Sequence, residues 1–159
     1  MVLRTEGRWD VSADPARPYG AVRQCDKASG KVSTVKVQSI YRTRVVAADG
    51  DEPLADAATR MREHQVGALV VLDGERLDGI LTERDLTRAI AEGADPEAIR
   101  VADYMSQWPI AVRPETDVHE AVLAMLELEC RHLPVVAADG HVVGMVSIRD
   151  LLGTAIRVA

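Results

Sequence analysis

The chain has 159 residues, a hydrophobic fraction of 47% and a formal net charge of −6, which suits one domain or two small units sharing a core. Aromatic residues make up 3% and Phe is absent, which disfavours a single-strand nucleic-acid surface built on stacking rings; the acidic balance disfavours nonspecific binding to nucleic acid or anionic membrane. Two cysteines, Cys25 and Cys130, are too few and too far apart for a disulfide framework or a zinc finger, no apolar run approaches a membrane span, and no charged-then-apolar leader opens the chain, so a soluble cytoplasmic protein is expected.

Residues 1–32 read as a polar, mildly basic extension. They hold Gly7, Pro15, Pro18, Gly20 and Gly30 and no sustained apolar period. Six basic against four acidic residues up to Lys31 give this arm +2, leaving −8 for the remainder. It could fold back on its own chain or on a partner subunit, but a flexible extension is the expectation.

From there the sequence repeats itself, and two units are expected at 33–96 and 97–159. The segment 47–86 aligns with 111–151: Met61 matches Met125 and Leu69 matches Leu133 at an offset of 64, while Gly79 and Gly144, Thr82 and Ser147, and Asp85 and Asp150 match at 65. The added residue falls in a turn region, where additions are tolerated. In each unit a short strand precedes a helix, marked by Ala55, Ala58, Met61 and Arg62 in the first and by Ala121, Val122, Met125, Leu126 and Glu129 in the second. Two apolar strands follow, 68–72 with 77–81 and 133–136 with 142–146, joined by turns at Asp73-Gly74 and Asp139-Gly140. A second helix then starts after Thr82 or Ser147, a hydroxyl residue three positions before an acid. Neither unit buries much alone, so an α+β fold is expected in which two β-α-β-β-α repeats pack as one pseudo-symmetric globule.

That order, with "GILTERDL" and "GMVSIRDL" after the "ALVVLDG" and "LPVVAADG" hairpins, and with "VADYMSQWPIAVRPETDVHEA" and "RHLPVV" in the second unit, resembles the cystathionine-β-synthase (CBS) domain family. It resembles in particular a single tandem pair, or Bateman module, over about residues 33–157. Small stand-alone actinobacterial-type pairs, including hypoxia-response proteins, are the nearest look-alikes. The resemblance implies a regulatory module without catalysis that binds an adenosine-containing ligand. In the family the matching Ser/Thr and Asp contact phosphate and ribose, while apolar strand residues sandwich the adenine.

The motif residues suit that chemistry on physical grounds. A helix N-terminus exposes unpaired backbone N–H groups and partial positive charge, to which Thr82 and Ser147 can add a hydroxyl donor. Asp85 and Asp150 can accept from a ribose diol, and Arg84 and Arg149 beside them can neutralise phosphate. The same spacing also makes a capping box, in which the acid reaches back to the cap's own N–H. Both readings stand at this point.

The two copies differ upstream of their first helices. The second has Arg113-Pro114-Glu115-Thr116-Asp117, where the family often places ribose and base contacts on a threonine-type residue; the first has Asp49-Gly50-Asp51-Glu52-Pro53, with three acids and no hydroxyl. One working site and one degenerate site are therefore expected. Arg131 and His132, before the 133–136 strand, are further candidates for the cleft lining. The expected ligand is AMP, ADP or ATP, with S-adenosylmethionine and NADH as alternatives, and no cofactor is required.

No metal site is expected, since "HEAVL" at 119–123 lacks the second His of a zinc-protease helix. No nucleophile can be matched with a base, so no catalytic residue is named. Cys130 reads as a buried free thiol. Leu86, Ala89, Ile90, Leu151, Leu152, Ala155 and Ile156 make the last helix of each unit strongly apolar, and the family resemblance implies a homodimer through those helices, with output to an unknown effector protein. A structural protein with vestigial clefts that acts through homodimerisation, or a nucleic-acid binder using the basic arm, are the competing readings.

Overall fold

The computed structural model describes residues 23–24 and 35–158. In chain order these form β1 (Arg23–Gln24), a 3-10 turn (Val37–Ser39), β2 (Ala47–Asp49), α1 (Leu54–His64), β3 (Ala68–Asp73), β4 (Arg76–Thr82) and α2 (Glu83–Ala91). The second half continues with α3 (Val101–Tyr104), β5 (Ser106–Gln107), β6 (Ile110–Ala111), α4 (Val118–Glu127), β7 (His132–Val136), β8 (Val142–Ser147) and α5 (Ile148–Val158). The expected β-α-β-β-α order is present twice, as β2-α1-β3-β4-α2 and β6-α4-β7-β8-α5. Both hairpins are antiparallel, and both carry an irregularity at the same repeat position, after Val71 and after Val135. Helices α1 and α4 are each followed by a left-handed residue, Gln65 and Glu129, at φ 54 and 51. Among the described residues no helix is long and apolar enough to cross a membrane.

Each repeat is completed by the segment that leads into the other. Val37 is fully buried in the second repeat's core, with Val112, Val118, Met125, Leu133, Val135, Val146 and Leu151. Val101 and Met105 are buried in the first repeat's core, with Leu54, Met61, Leu69, Val71 and Leu81. The backbone contacts correspond one for one. Val37 N–H donates to the Thr116 carbonyl as Val101 N–H does to that of Glu52, and Val118 N–H donates to Val35 as Leu54 N–H does to Ile99. Arg42 bridges Met145 on β8, just as Ser106 on β5 pairs with Ile80 on β4. The two hairpin turns also meet, where Arg76 bridges His141 and the His141 imidazole lies 3.1 Å from Glu75 and 3.3 Å from Asp139.

β1 pairs in parallel with β6. At these two residues the N-terminal arm folds back on its own chain. The rest of residues 1–34, including Cys25 and most of the arm's charges, lies outside the described residues.

Two glycines mark where the exchanged segments press on the hairpins. A Cβ on Gly144 would overlap the Tyr41 ring and stand 2.9 Å from the Arg42 carbonyl oxygen; one on Gly79 would meet the flexible Met105 side chain first, at 2.5 Å from its sulfur. A thioether can swing aside, whereas a ring backed by a strand bridge cannot without displacing the bridge. We predict that Gly144→Ala lowers stability by about 1–3 kcal/mol and costs more than Gly79→Ala, as read from urea unfolding midpoints at equal m-values.

Candidate functional site

Both hydroxyl–acid motifs are capping boxes. In α2 the Thr82 backbone N–H and hydroxyl donate to Asp85 Oδ2 at 2.9 and 2.7 Å, and the Thr82 side chain accepts from the N–H of the third helical residue, Asp85. In α5 the Ser147 N–H and hydroxyl donate to Asp150 Oδ2 at 3.2 and 2.6 Å, and Asp150 N–H donates to the Ser147 hydroxyl at 3.2 Å. Of the two readings open from the sequence, capping is realised at both motifs.

The second carboxylate oxygen separates them. Asp85 is buried, at 7% exposure, and its Oδ1 faces Arg88 of its own helix at 3.6 Å. Arg88 is itself tied to α3, donating to the Tyr104 carbonyl at 2.7 Å and lying 5.3 Å from the centre of the Tyr104 ring. Asp150 Oδ1 instead accepts from Arg42 Nη2 at 3.0 Å and Nε at 3.3 Å, across 108 residues of sequence. Burial pushes the Asp150 carboxyl up, but the hydrogen bonds from Ser147 and Arg42 more than offset it and hold the group below the usual carboxylate range.

Asp150 stands on the wall of a cleft of about 610 Å³ that both repeats line. Val46, Met61 and Val66 of the first repeat and Met145 of the second give it apolar surface, while Ser147, Arg149 and Asp150 come from the start of α5. Arg131 and His132 line it as well. Burial and the neighbouring Arg131 cation push the His132 imidazole below its usual pKa, partly opposed by Asp150 and Glu83.

Arg113 and Thr116 are not among the residues lining this cleft. The Thr116 hydroxyl accepts from the Arg113 N–H at 3.0 Å and its carbonyl from Val37, so the loop is organised around the exchanged segment. The acidic loop of the first repeat does not line the cleft either. Asp49 caps its own turn by accepting from Asp51 N–H at 2.8 Å, and Glu52 is held by Arg60 at 2.6 Å. Asp49 and Glu52 of that loop thus have local partners, and neither lines this cleft. Thr82, Arg84 and Asp85 do not line it, and of α2 only Glu83 and Leu86 reach this cleft. Arg42, Arg44 and Arg62, which do line it, went unnoticed in the sequence because they lie up to 108 residues from the motif they face.

Cys130 is half-buried, and burial pushes its thiol up, as expected of an inert packing residue. Among the described residues no three His, Cys, Asp or Glu side chains gather as they would around a metal ion.

The model of the CBS domain matches this sequence twice, at residues 37–92 and 101–156. The chain belongs to the CBS-domain family. A 17.7 kDa protein of Acidianus ambivalens is 40% identical over 117 residues, covering 73% of this chain and 70% of the relative. For three curated relatives the matched share lies between 62% and 70% of their own length. Among solved structures, Hypoxic Response Protein I with two coordinated zinc ions superposes with a TM-score of 0.66 at 30% identity, covering 75% of this chain and 98% of that one. The CBS protein CBSX2 in complex with AMP superposes with a TM-score of 0.65 at 25% identity, covering 77% and 97%. The tandem arrangement and mixed α/β architecture of this CBS pair are those of its structural neighbours.

Two histidines of the pair respond to pH in opposite senses. His132 has a folded pKa below its ordinary value, so the unfolded chain binds more protons and stability falls as pH drops below about 6.5. His141, raised chiefly by Glu75 and then by Asp139, contributes stability below that value, and the contribution is lost as pH rises through its raised folded pKa. Unfolding midpoints recorded from pH 5 to 8 should show the acid-side loss reduced in His132→Gln and the alkaline-side loss reduced in His141→Gln.

Proposed function

We propose that the protein is a non-catalytic sensor that binds an adenosine nucleotide in the Asp150 cleft. The observation that carries this reading is the cleft itself, in which Ser147, Arg149 and Asp150 of one repeat face apolar residues of the other across a space of about 610 Å³. Met61, Val66 and Met145 supply surface for a purine. Asp150 Oδ1, now held by Arg42, is the acceptor for a ribose diol, and its displacement would free Arg42 for phosphate. A ligand that touches both repeats favours the arrangement in which they are closest. The AMP complex of the related CBSX2 supports the ligand class. The location is taken as cytoplasmic, and the signal passes to an effector protein.

Thermal unfolding with AMP, ADP, ATP, S-adenosylmethionine and NADH tests the reading. A ligand at a hundred times its Kd adds about 2.7 kcal/mol, several degrees for a chain of this size. Asp150→Asn keeps a cap acceptor but loses the charge, and it should abolish the shift, whereas Asp85→Asn should retain it. No shift with any compound would return both motifs to capping alone.

Self-association through α2 and α5 belongs to the same proposal. Ile90 is 73% and Leu152 48% exposed, an unfavourable display of large apolar side chains at corresponding ends of the two repeats. The side chains of Ala155 and Ile156 lie outside the described residues. Sedimentation should show a dimer that Ile90→Glu and Leu152→Glu together convert to monomer with little loss of fold.

A further inference from the structure

We infer that the Asp150 cleft is built for a polyphosphate, so that the ligand is a nucleoside di- or triphosphate in preference to a monophosphate or to S-adenosylmethionine. This inference rests on the nucleotide reading above and adds to it the charge of the ligand. Five arginines line the cleft, Arg42, Arg44, Arg62, Arg131 and Arg149, against two acids, Glu83 and Asp150. The lining thus carries +3 in a chain whose net charge is −6. Arg42 is engaged by Asp150 at 3.0 Å, and Arg44 approaches His64 Nδ1 at 3.4 Å. Arg62, Arg131 and Arg149 have no acidic partner among the described residues.

The internal repeat supplies a control. Positions corresponding to Arg42, Arg44, Arg62 and Arg131 in the other half hold Ser106, Trp108, Leu126 and Gly67; only Arg149 has a charged counterpart, Arg84. Both halves adopt the same β-α-β-β-α fold with the same exchanged contacts, so the fold does not require these cations. Leu126 and Trp108 are in fact exposed, at 64% and 42%. Collecting like charges around one concavity is unfavourable without an anion to neutralise them. A monophosphate brings roughly −2, short of the +3 of the lining, while a di- or triphosphate balances it. S-adenosylmethionine offers the same adenosine but places a sulfonium cation where the phosphates would lie. Guanidinium groups also match phosphate geometry through paired donors.

Calorimetric titration of the full chain at low salt with ATP, ADP, AMP, S-adenosylmethionine and inorganic tripolyphosphate decides the matter. Arg62→Leu and Arg131→Gly install the residues of the other repeat, with Arg131→Gln as a second variant should glycine loosen the chain before β7. The expected result is that ATP and ADP bind at least about tenfold more tightly than AMP, the equivalent of about 1.4 kcal/mol. The double variant should weaken ATP and ADP binding more than AMP binding, so that most of that preference is lost, and the salt dependence of ATP binding should flatten. AMP binding as tightly as ATP, or an ATP preference intact in the double variant, overturns the inference and leaves the nucleotide reading standing. Binding of tripolyphosphate without any nucleoside compound overturns the nucleotide reading and leaves a polyphosphate site. Binding of none of them overturns both.

Discussion

Neither repeat of this CBS pair closes its own hydrophobic core, and the remaining structure depends on that constraint. The segment before each repeat lies against the hairpin of the other, with Val37 and Val101 as the fully buried plugs. The exchange fixes the relative position of the halves by strand bridges and buried aliphatic side chains rather than by surface contacts. It also creates the cleft. Because residues 42–46 must travel from β8 of the second repeat to β2 of the first, the start of α5 and the first repeat's hairpin are brought to face one another across the gap that the connection spans.

Within that cleft, one carboxylate serves two demands. Asp150 Oδ2 completes the N-terminal turn of α5, and Oδ1 anchors Arg42. Its counterpart Asp85 divides its oxygens between the cap and an arginine of its own helix and is closed off from solvent. A cap and a ligand contact are thus compatible uses of the same motif, and the difference between the copies comes from what approaches the second oxygen. In one it is a residue delivered from the other end of the chain; in the other it is the next turn of the helix.

How much of this was legible in the sequence follows from the range of the interactions. The hairpins, the helix starts after Thr82 and Ser147, and the twofold repeat are local or periodic, and each reads directly from apolar spacing and turn residues. Arg131, His132 and the 147–150 motif were legible because they flank strands whose pairing is itself local. The exchange was not, because "TVKVQSIY" has no counterpart nearby that would announce a partner some hundred residues downstream. Without it, Arg42 and Arg44 carried no sign of the acid that Arg42 meets, and the acids at 49–52 were read as neighbours of a phosphate. The structure shows instead that Glu52 is neutralised by Arg60 and that its backbone carbonyl receives Val101.

The exchanged N-terminal segment has a consequence for how the chain comes to be folded during synthesis. Arg42 and Asp150 are 108 residues apart, and the sheet edge that receives Arg42 lies at Met145, on the hairpin of the second repeat. The first repeat, in turn, lacks Val101 and Met105 until the connecting segment has emerged. The segment around Val37 and Arg42 therefore has no partner until the second repeat has been made, and closure of the two cores is a late, high-contact-order event. Assembly of the cleft therefore needs both repeats, so a product that ends before β8 and α5 would lack the cleft altogether rather than retain a weakened half of it.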